Sequence, residues 1–209
     1  MHRFQDLTPC EISNRLENGI HSTVDPHYPE RLFLTQFLTN EPRPASVLIP
    51  LLQYEDEWHI LFTRRHPDLP EHSGQVSFPG GRMDDGDASP EETALREAWE
   101  EIGLRPGDVT ILGRLHEFLT ITNYLVTPVV GVIPWPYPLH LSEEEVSRAF
   151  TIPLAWLADR ANYEERPRII PGPFPPIPVI YFHPYDGEIL WGATARFTLS
   201  LLNTLEDRT

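Results

Sequence analysis

Ser89-Pro90-Glu91-Glu92-Thr93-Ala94-Leu95-Arg96-Glu97-Ala98-Trp99-Glu100-Glu101-Ile102-Gly103-Leu104 is the stretch on which the reading of this chain turns. Both of its ends are marked. Ser89 and Glu92 have the spacing of a capping box, Pro90 takes the first helical position, and Gly103 supplies a left-handed stop, so a helix is predicted between them. At about 100° per residue, Leu95, Ala98 and Ile102 fall on one face, and Glu97, Glu100 and Glu101 gather roughly opposite. Like charges at i,i+3 and i,i+4 cost a few tenths of a kcal/mol per pair, and the last helical turn disfavours anions. A positive partner should compensate. Hard divalent cations such as Mg²⁺ or Mn²⁺ prefer carboxylate oxygens and bridge phosphates.

An arbitrary glutamate-rich helix simply shows such a face to water. The residues just upstream argue otherwise here. Phe78-Pro79-Gly80-Gly81 allows close backbone approach, and the acidic turn Asp84-Asp85-Gly86-Asp87 leads into the helix. A Ca²⁺ loop starting at Asp85 fails on register, because its sixth position would be Pro90 instead of Gly and its twelfth Arg96 instead of Glu.

Outward from the helix, β-prone runs alternate with few helices. Residues 46–52 and 58–63 flank the polar Glu55-Asp56-Glu57 and predict a hairpin of buried strands; residues 109–112, 124–133 and 177–182 predict further strands. A closing helix is predicted over 194–205, with Phe197, Leu201, Leu202 and Leu205 at helical spacing. Residues 11–16 and 30–38 predict two short amphipathic helices, and residues 40–44 a linker, so 1–44 reads as a helical extension packed on a core of 45–209. The 23 prolines concentrate at 134–138 and 167–178, which read as ordered loops. Glu143, Glu144 and Glu145 read as the acidic first turn of a short apolar helix.

The chain has 209 residues and a formal net charge of −15, whose field repels polyanions, so neither nucleic acid nor an anionic membrane surface is an expected partner. A small anionic substrate would need local cations or metal. Cys10 is the only cysteine, which excludes an intramolecular disulfide framework. With no secretory-type apolar start and no run of about 18 apolar residues, a cytoplasmic protein is expected. Oligomeric state is left open, a homodimer being one arrangement.

Arg96-Glu97-Ala98-Trp99-Glu100-Glu101-Ile102-Gly103-Leu104 resembles the second half of the Nudix box, Gly-x5-Glu-x7-Arg-Glu-U-x-Glu-Glu-x-Gly-U, where U is a bulky apolar residue. Counted from Gly81, the acidic position falls on Asp87 instead of Glu, with eight residues before Arg96 instead of seven, which leaves the pairing of Asp87 with Arg96 open. Upstream, Leu61-Phe62-Thr63-Arg64-Arg65-His66-Pro67-Asp68-Leu69-Pro70-Glu71-His72-Ser73-Gly74-Gln75-Val76-Ser77-Phe78-Pro79-Gly80-Gly81 resembles, without gaps, the signature of the coenzyme A diphosphatase branch. Three positions differ: Phe62, His66, and Pro70 where that signature has its second arginine.

The resemblance implies an α/β (α+β) Nudix fold, a mixed β-sheet sandwiched between α-helices. It implies that Glu97, Glu100 and Glu101, with the Gly81 carbonyl, hold Mg²⁺ or Mn²⁺, and that Arg96 orders the acidic loop as a fourth member of the catalytic set. Arg65, Gly74, Gln75, Phe78 and Gly80 are expected on the substrate side, and Glu144 or Glu145 as an extra ligand or base. The reaction implied is hydrolysis of coenzyme A to 3′,5′-ADP and 4′-phosphopantetheine. His66 and Pro70 keep open another Nudix substrate, such as ADP-ribose, NADH or a dinucleoside polyphosphate. A nucleotide-sensing module without catalysis is a further alternative, but it has no chemical need for all three glutamates.

Overall fold

The computed structural model describes residues 4–19, 40–169 and 176–206. Its central hairpin comprises β1 (Arg43–Tyr54) and β2 (Glu57–Arg65). Glu55 and Asp56 join them with φ of 51° and 62°, and this left-handed pair matches the twist of the flanking strands. Arg43 and Pro44 already belong to β1, so the sheet begins inside the stretch expected to be a linker.

β1 organises the sheet because it has partners on both sides. It runs antiparallel to β2 from Leu51↔Ile60 to Tyr54↔Glu57, and antiparallel to β4 (Gly80–Arg82) from Ala45↔Arg82 to Val47↔Gly80. On its other side it runs parallel to β7 (Tyr124–Val132), from Arg43↔Tyr124 to Leu51↔Val132. β3 (Val76–Ser77) and β8 (Val146–Pro153) pair with β2, while β5 (Thr110–Arg114) and β6 (Phe118–Leu119) pair with β7.

Side chains along these strands alternate between two cores, as the period of two requires. Ile49, Leu51, Ile60, Phe62 and Val130 enter one core, closed by Ile12 and Leu16 of α1 (Pro9–Gly19) and by Phe197, Leu201, Leu202 and Leu205 of the C-terminal helix (Gly192–Glu206). Leu48, Leu52, Leu61 and Val129 enter the other, closed by Ala94, Ala98 and Ile102 of α2 (Pro90–Ile102). Both faces are therefore covered by helices, and the fold is the expected mixed-sheet sandwich of the α+β class. Leu95 is only half-buried, because the packed face of α2 centres on Ala94, Ala98 and Ile102.

After β8 come the single-turn α3 (Leu154–Leu157) and a separate antiparallel hairpin of β9 (Tyr163–Arg168) and β10 (Ile177–Phe182). The C-terminal helix is α4 in this order. Two expectations are corrected. Pro167 and Pro178 face each other inside the β9–β10 ladder, so the proline-rich stretch read as loop starts and ends in strand. Glu143, Glu144 and Glu145 form a turn leading into strand β8, not the first turn of a helix. The helix expected over 30–38 lies outside the described residues. Among those described, no helix is long and apolar enough to cross a membrane.

Candidate active site

Helix α2 is fastened at both ends before it does anything else. Ser89 Oγ accepts from Glu92 N–H at 3.2 Å, and the Glu92 carboxylate accepts from Ala88 N–H at 2.8 Å. At the other end Gly103 turns with φ 69° and donates to Trp99 O at 3.0 Å. The last carbonyls are taken up by the chain that follows: His140 N–H donates to Ile102 O at 3.0 Å and Ser142 N–H to Glu101 O at 2.9 Å. Bonding these carbonyls to the 138–142 segment carries the next residues, up to Glu145, alongside the glutamates of the helix.

Of those glutamates, Glu101 is only 3% exposed, and burial pushes its carboxyl up to about 8. The Arg65 guanidinium and a hydrogen bond from the Gly80 backbone favour its ionised form; Glu97 and Glu145 disfavour it. Burial also raises Glu97, against the pull of Arg96 and with the push of Glu100 and Glu145. Glu100 is the outermost of the three. The two glycines work as the sequence implies. A Cβ on Gly81 would stand 2.5 Å from Glu97 Oε1, and one on Gly80 would stand 2.4 Å from Ser46 O, so the backbone lies directly against the carboxylate and against β1.

Arg96 ties the acidic turn to the helix. Its Nε and Nη2 donate to the two oxygens of Asp87 at 3.2 and 3.0 Å, Nη2 donates to Arg82 O at 2.9 Å, and Nη1 donates to Glu97 at 2.9 Å and Glu100 at 3.1 Å. Asp87 therefore pairs with Arg96 despite the extra residue between them. The backbone turn Asp87 N–H to Asp84 O at 3.0 Å absorbs that residue before the helix starts.

Arg65 reaches the same place from β2. The ladder to β8 shifts register between Arg64 and Arg65, with Ser147 of β8 as the extra residue opposite them, and the charge of Arg65 is felt at Glu101. Ser147 Oγ holds the bulge, lying 3.1 Å from Arg64 O and 3.4 Å from Arg65 O, and Arg65 Nε is buried without a partner among the described residues. Of the two acidic candidates before β8, the charge of Glu145 is felt at both Glu97 and Glu101. Both are exposed, but Glu144 figures in neither shift.

The remaining expected residues, Gly74, Gln75 and Phe78, flank β3. Gly74 turns with φ 65° in the loop before β3, and Gln75 Oε1 lies 3.0 Å from His72 Nδ1. Phe78 is 3% exposed and stacks on Phe62 with ring centroids 4.9 Å apart, so its ring packs in the core. Ser147 and the ion pair of Arg114 with Glu91, which anchors the start of α2 to β5, went unread because neither has a motif.

As a donor set, Glu97, Glu100, Glu101 and the Gly81 carbonyl are all hard oxygens, the kind Mg²⁺ or Mn²⁺ takes. Among the described residues no three acidic or imidazole side chains stand together as ready-made ligands, and Arg96 Nη1 occupies the space between Glu97 and Glu100. The fit lies in the chemistry: burial holds the Glu101 carboxyl near 8 although Arg65 partly offsets it, and a cation would further favour its ionised form.

Residues 42–171 match the NUDIX domain. A protein of Escherichia fergusonii called "Uncharacterized Nudix hydrolase NudL" is 46% identical over 121 residues, 58% of this chain and 62% of its own length. Its namesake in Shigella flexneri serotype 5b is 42% identical over 144 residues, 68% of this chain and 74% of its own. The match thus spans less than two thirds of the E. fergusonii protein's length. Among solved structures, the Nudix hydrolase RenU of M. smegmatis aligns with a TM-score of 0.48 at 21% identity, over 57% of this chain and 76% of that one. The matched domain contains α2 with its glutamates, both glycines of β4, Arg65 and Glu145, and the chain belongs to the Nudix hydrolase family.

Proposed function

We propose that this chain hydrolyses the diphosphate bond of coenzyme A or a coenzyme A derivative, with Mg²⁺ or Mn²⁺ as cofactor, releasing 3′,5′-ADP and 4′-phosphopantetheine. The observation that carries the reading is the meeting of Glu97, Glu101, Arg65 and Glu145 against the Gly80–Gly81 backbone. Glu97, Glu100, Glu101 and the Gly81 carbonyl would hold the metal, which supplies charge neutralisation of the diphosphate and acidification of water.

The chain's own residues do the rest. Arg65, with its unpartnered buried Nε, grips a phosphate oxygen through charge-assisted hydrogen bonds. Arg96 keeps the acidic turn and two of the glutamates in register by its fixed fork of donors. Glu145 takes the proton of the attacking water as the new phosphorus–oxygen bond forms and the bridging one breaks. Coenzyme A as substrate is supported by the ungapped 61–81 signature; Pro70, where that signature carries an arginine, favours a different diphosphate as the second reading.

Incubating the chain with Mg²⁺ or Mn²⁺ and coenzyme A, ADP-ribose, NADH and a dinucleoside polyphosphate, then separating products, tests the reading. The expected result is 3′,5′-ADP and 4′-phosphopantetheine as the dominant products. Glu97→Gln and Glu101→Gln should each lower turnover by at least about a hundredfold with the fold intact by circular dichroism. Unchanged turnover in both variants overturns the mechanism, and cleavage of another diphosphate alone overturns the substrate.

A further inference from the structure

Two arginines stand on either side of one tyrosine at the end of the sheet where β4 meets β1. Arg43 Cζ lies 4.1 Å and Arg82 Cζ 5.8 Å from the centroid of the Tyr124 ring. The register explains the meeting: Arg43 is the parallel partner of Tyr124, Arg82 is the antiparallel partner of Ala45, and Arg43 is two residues from Ala45, so both arginines project from one face. Two cations drawn to one ring repel each other. In a chain with 31 acidic residues, Arg64, Arg96, Arg114, Arg148 and Arg166 have a carboxylate partner, whereas among the described residues Arg43 and Arg82, like Arg65, Arg105, Arg160 and Arg168, have no carboxylate ion pair.

The pair is held in place. Arg43 N–H donates to Asn123 O at 2.9 Å and its Nη2 to Thr122 O at 3.3 Å. Arg82 O accepts from Arg96 Nη2 at 2.9 Å, and Met83 N–H donates to Pro44 O at 3.1 Å, so the backbone on both sides is pinned. The same Arg96 binds Glu97 and Glu100, and Gly81, the neighbour of Arg82, lies against Glu97. Arg82 is thus the sequence neighbour of the glycine that lies against Glu97, with its side chain on the opposite face of β4, the face it shares with Arg43.

We infer that Arg43 and Arg82, flanking the Tyr124 ring, form a phosphate subsite that receives the phosphate on the ribose 3′-oxygen of the substrate. This rests on the coenzyme A reading above and deepens it. A diphosphate held at α2 carries its nucleoside across β4, and a third phosphate is the group that two unneutralised, pre-positioned guanidiniums bind best. The subsite also supplies the cation that Pro70 removes from the 61–81 signature.

Coenzyme A and dephospho-coenzyme A differ only in that phosphate, so steady-state kinetics on both substrates test the inference. Wild type should show a KM about tenfold or more lower for coenzyme A; Arg43→Gln and Arg82→Gln should raise that KM by about tenfold each, leaving kcat and the dephospho substrate within about twofold. Arg82→Lys should keep part of the preference. Calorimetry with the products' nucleotides adds a reading without turnover: 3′,5′-ADP should bind more tightly than 5′-AMP, and the double variant should lose the difference. Equal KM values for the two substrates in wild type, or an equal loss on both in the variants, overturns the subsite while leaving the coenzyme A reading standing. Absence of coenzyme A cleavage by wild type overturns both.

Discussion

The Asp87 carboxylate accepts two hydrogen bonds from Arg96, one from Thr93 Oγ1 at 3.0 Å and one from Asp84 N–H at 3.0 Å, and chiefly through Arg96 its pKa is lowered from 3.8 to about 2. A carboxyl whose folded value is depressed stabilises the fold fully above its unfolded pKa and loses that contribution as pH falls through the folded one. Asp87→Asn should therefore lower stability by about 1 to 2 kcal/mol at neutral pH. The gap from wild type should close between pH 3.8 and about 2, as urea midpoints at a series of pH values would read. A gap that stays constant through that window would mean that shape, not charge, sets the contribution. The pairing itself was not legible: counting residues put Asp87 out of step, and only the turn back to Asp84 restores its reach. Glu97, Glu100, Glu101 and Gly81 were legible because helical spacing and missing side chains are written directly in the sequence. Choosing Glu145 over Glu144 needed the strand that follows, which three consecutive glutamates do not announce.

An apolar run identifies β2, but the ladder beside its two adjacent arginines slips by one residue through a bulge in β8, and nothing in Arg64-Arg65 marks it. The extra residue of that bulge is Ser147 of β8, whose hydroxyl takes up the carbonyls of Arg64 and Arg65 across the slip. Ser147 is exposed, so water can replace its hydroxyl and Ser147→Ala should shift stability by less than about 1 kcal/mol. Its aim on Arg65 is harder to replace. A small displacement of a substrate-gripping cation lowers rate steeply, so kcat/KM should fall by about tenfold, and Ser147→Thr should restore most of it. If Ser147→Ala matches wild type in kcat/KM, the bulge is not what positions Arg65. β9 hid for a different reason: Glu164, Glu165, Arg166, Pro167 and Arg168 have no strand-like pattern, and they form a strand because β10 offers Val179, Ile180, Tyr181 and Phe182 across from them.

At the scale of the molecule, one sheet serves two layers with different tasks: α2 on one face holds the chemistry, and α1 with α4 on the other holds the sheet. α1 lies before the matched domain, yet Ile12 and Leu16 are 0% and 1% exposed, Ser13 Oγ donates to Leu112 O at 2.7 Å, and Trp58 Nε1 donates to Leu7 O at 2.9 Å. Sequence periodicity showed that this helix is amphipathic, but its landing place on β5 and α4 is a tertiary choice no local pattern specifies. Because the two cores are separated by the sheet, damage to the α1 side should reach stability before it reaches catalysis. Leu16→Ala leaves a cavity in a fully packed core and should cost about 2 to 5 kcal/mol, a large part of the 5 to 15 kcal/mol that holds a typical domain. Below the transition, the surviving folded fraction should keep the wild-type KM, since the principal contacts of α1 are with β5 and α4 rather than with α2 or β4. Denaturation midpoints paired with KM at low temperature would decide this: a variant as stable as wild type means that α1 does not seal the core, and a raised KM in the folded enzyme means that the two faces of the sheet are coupled.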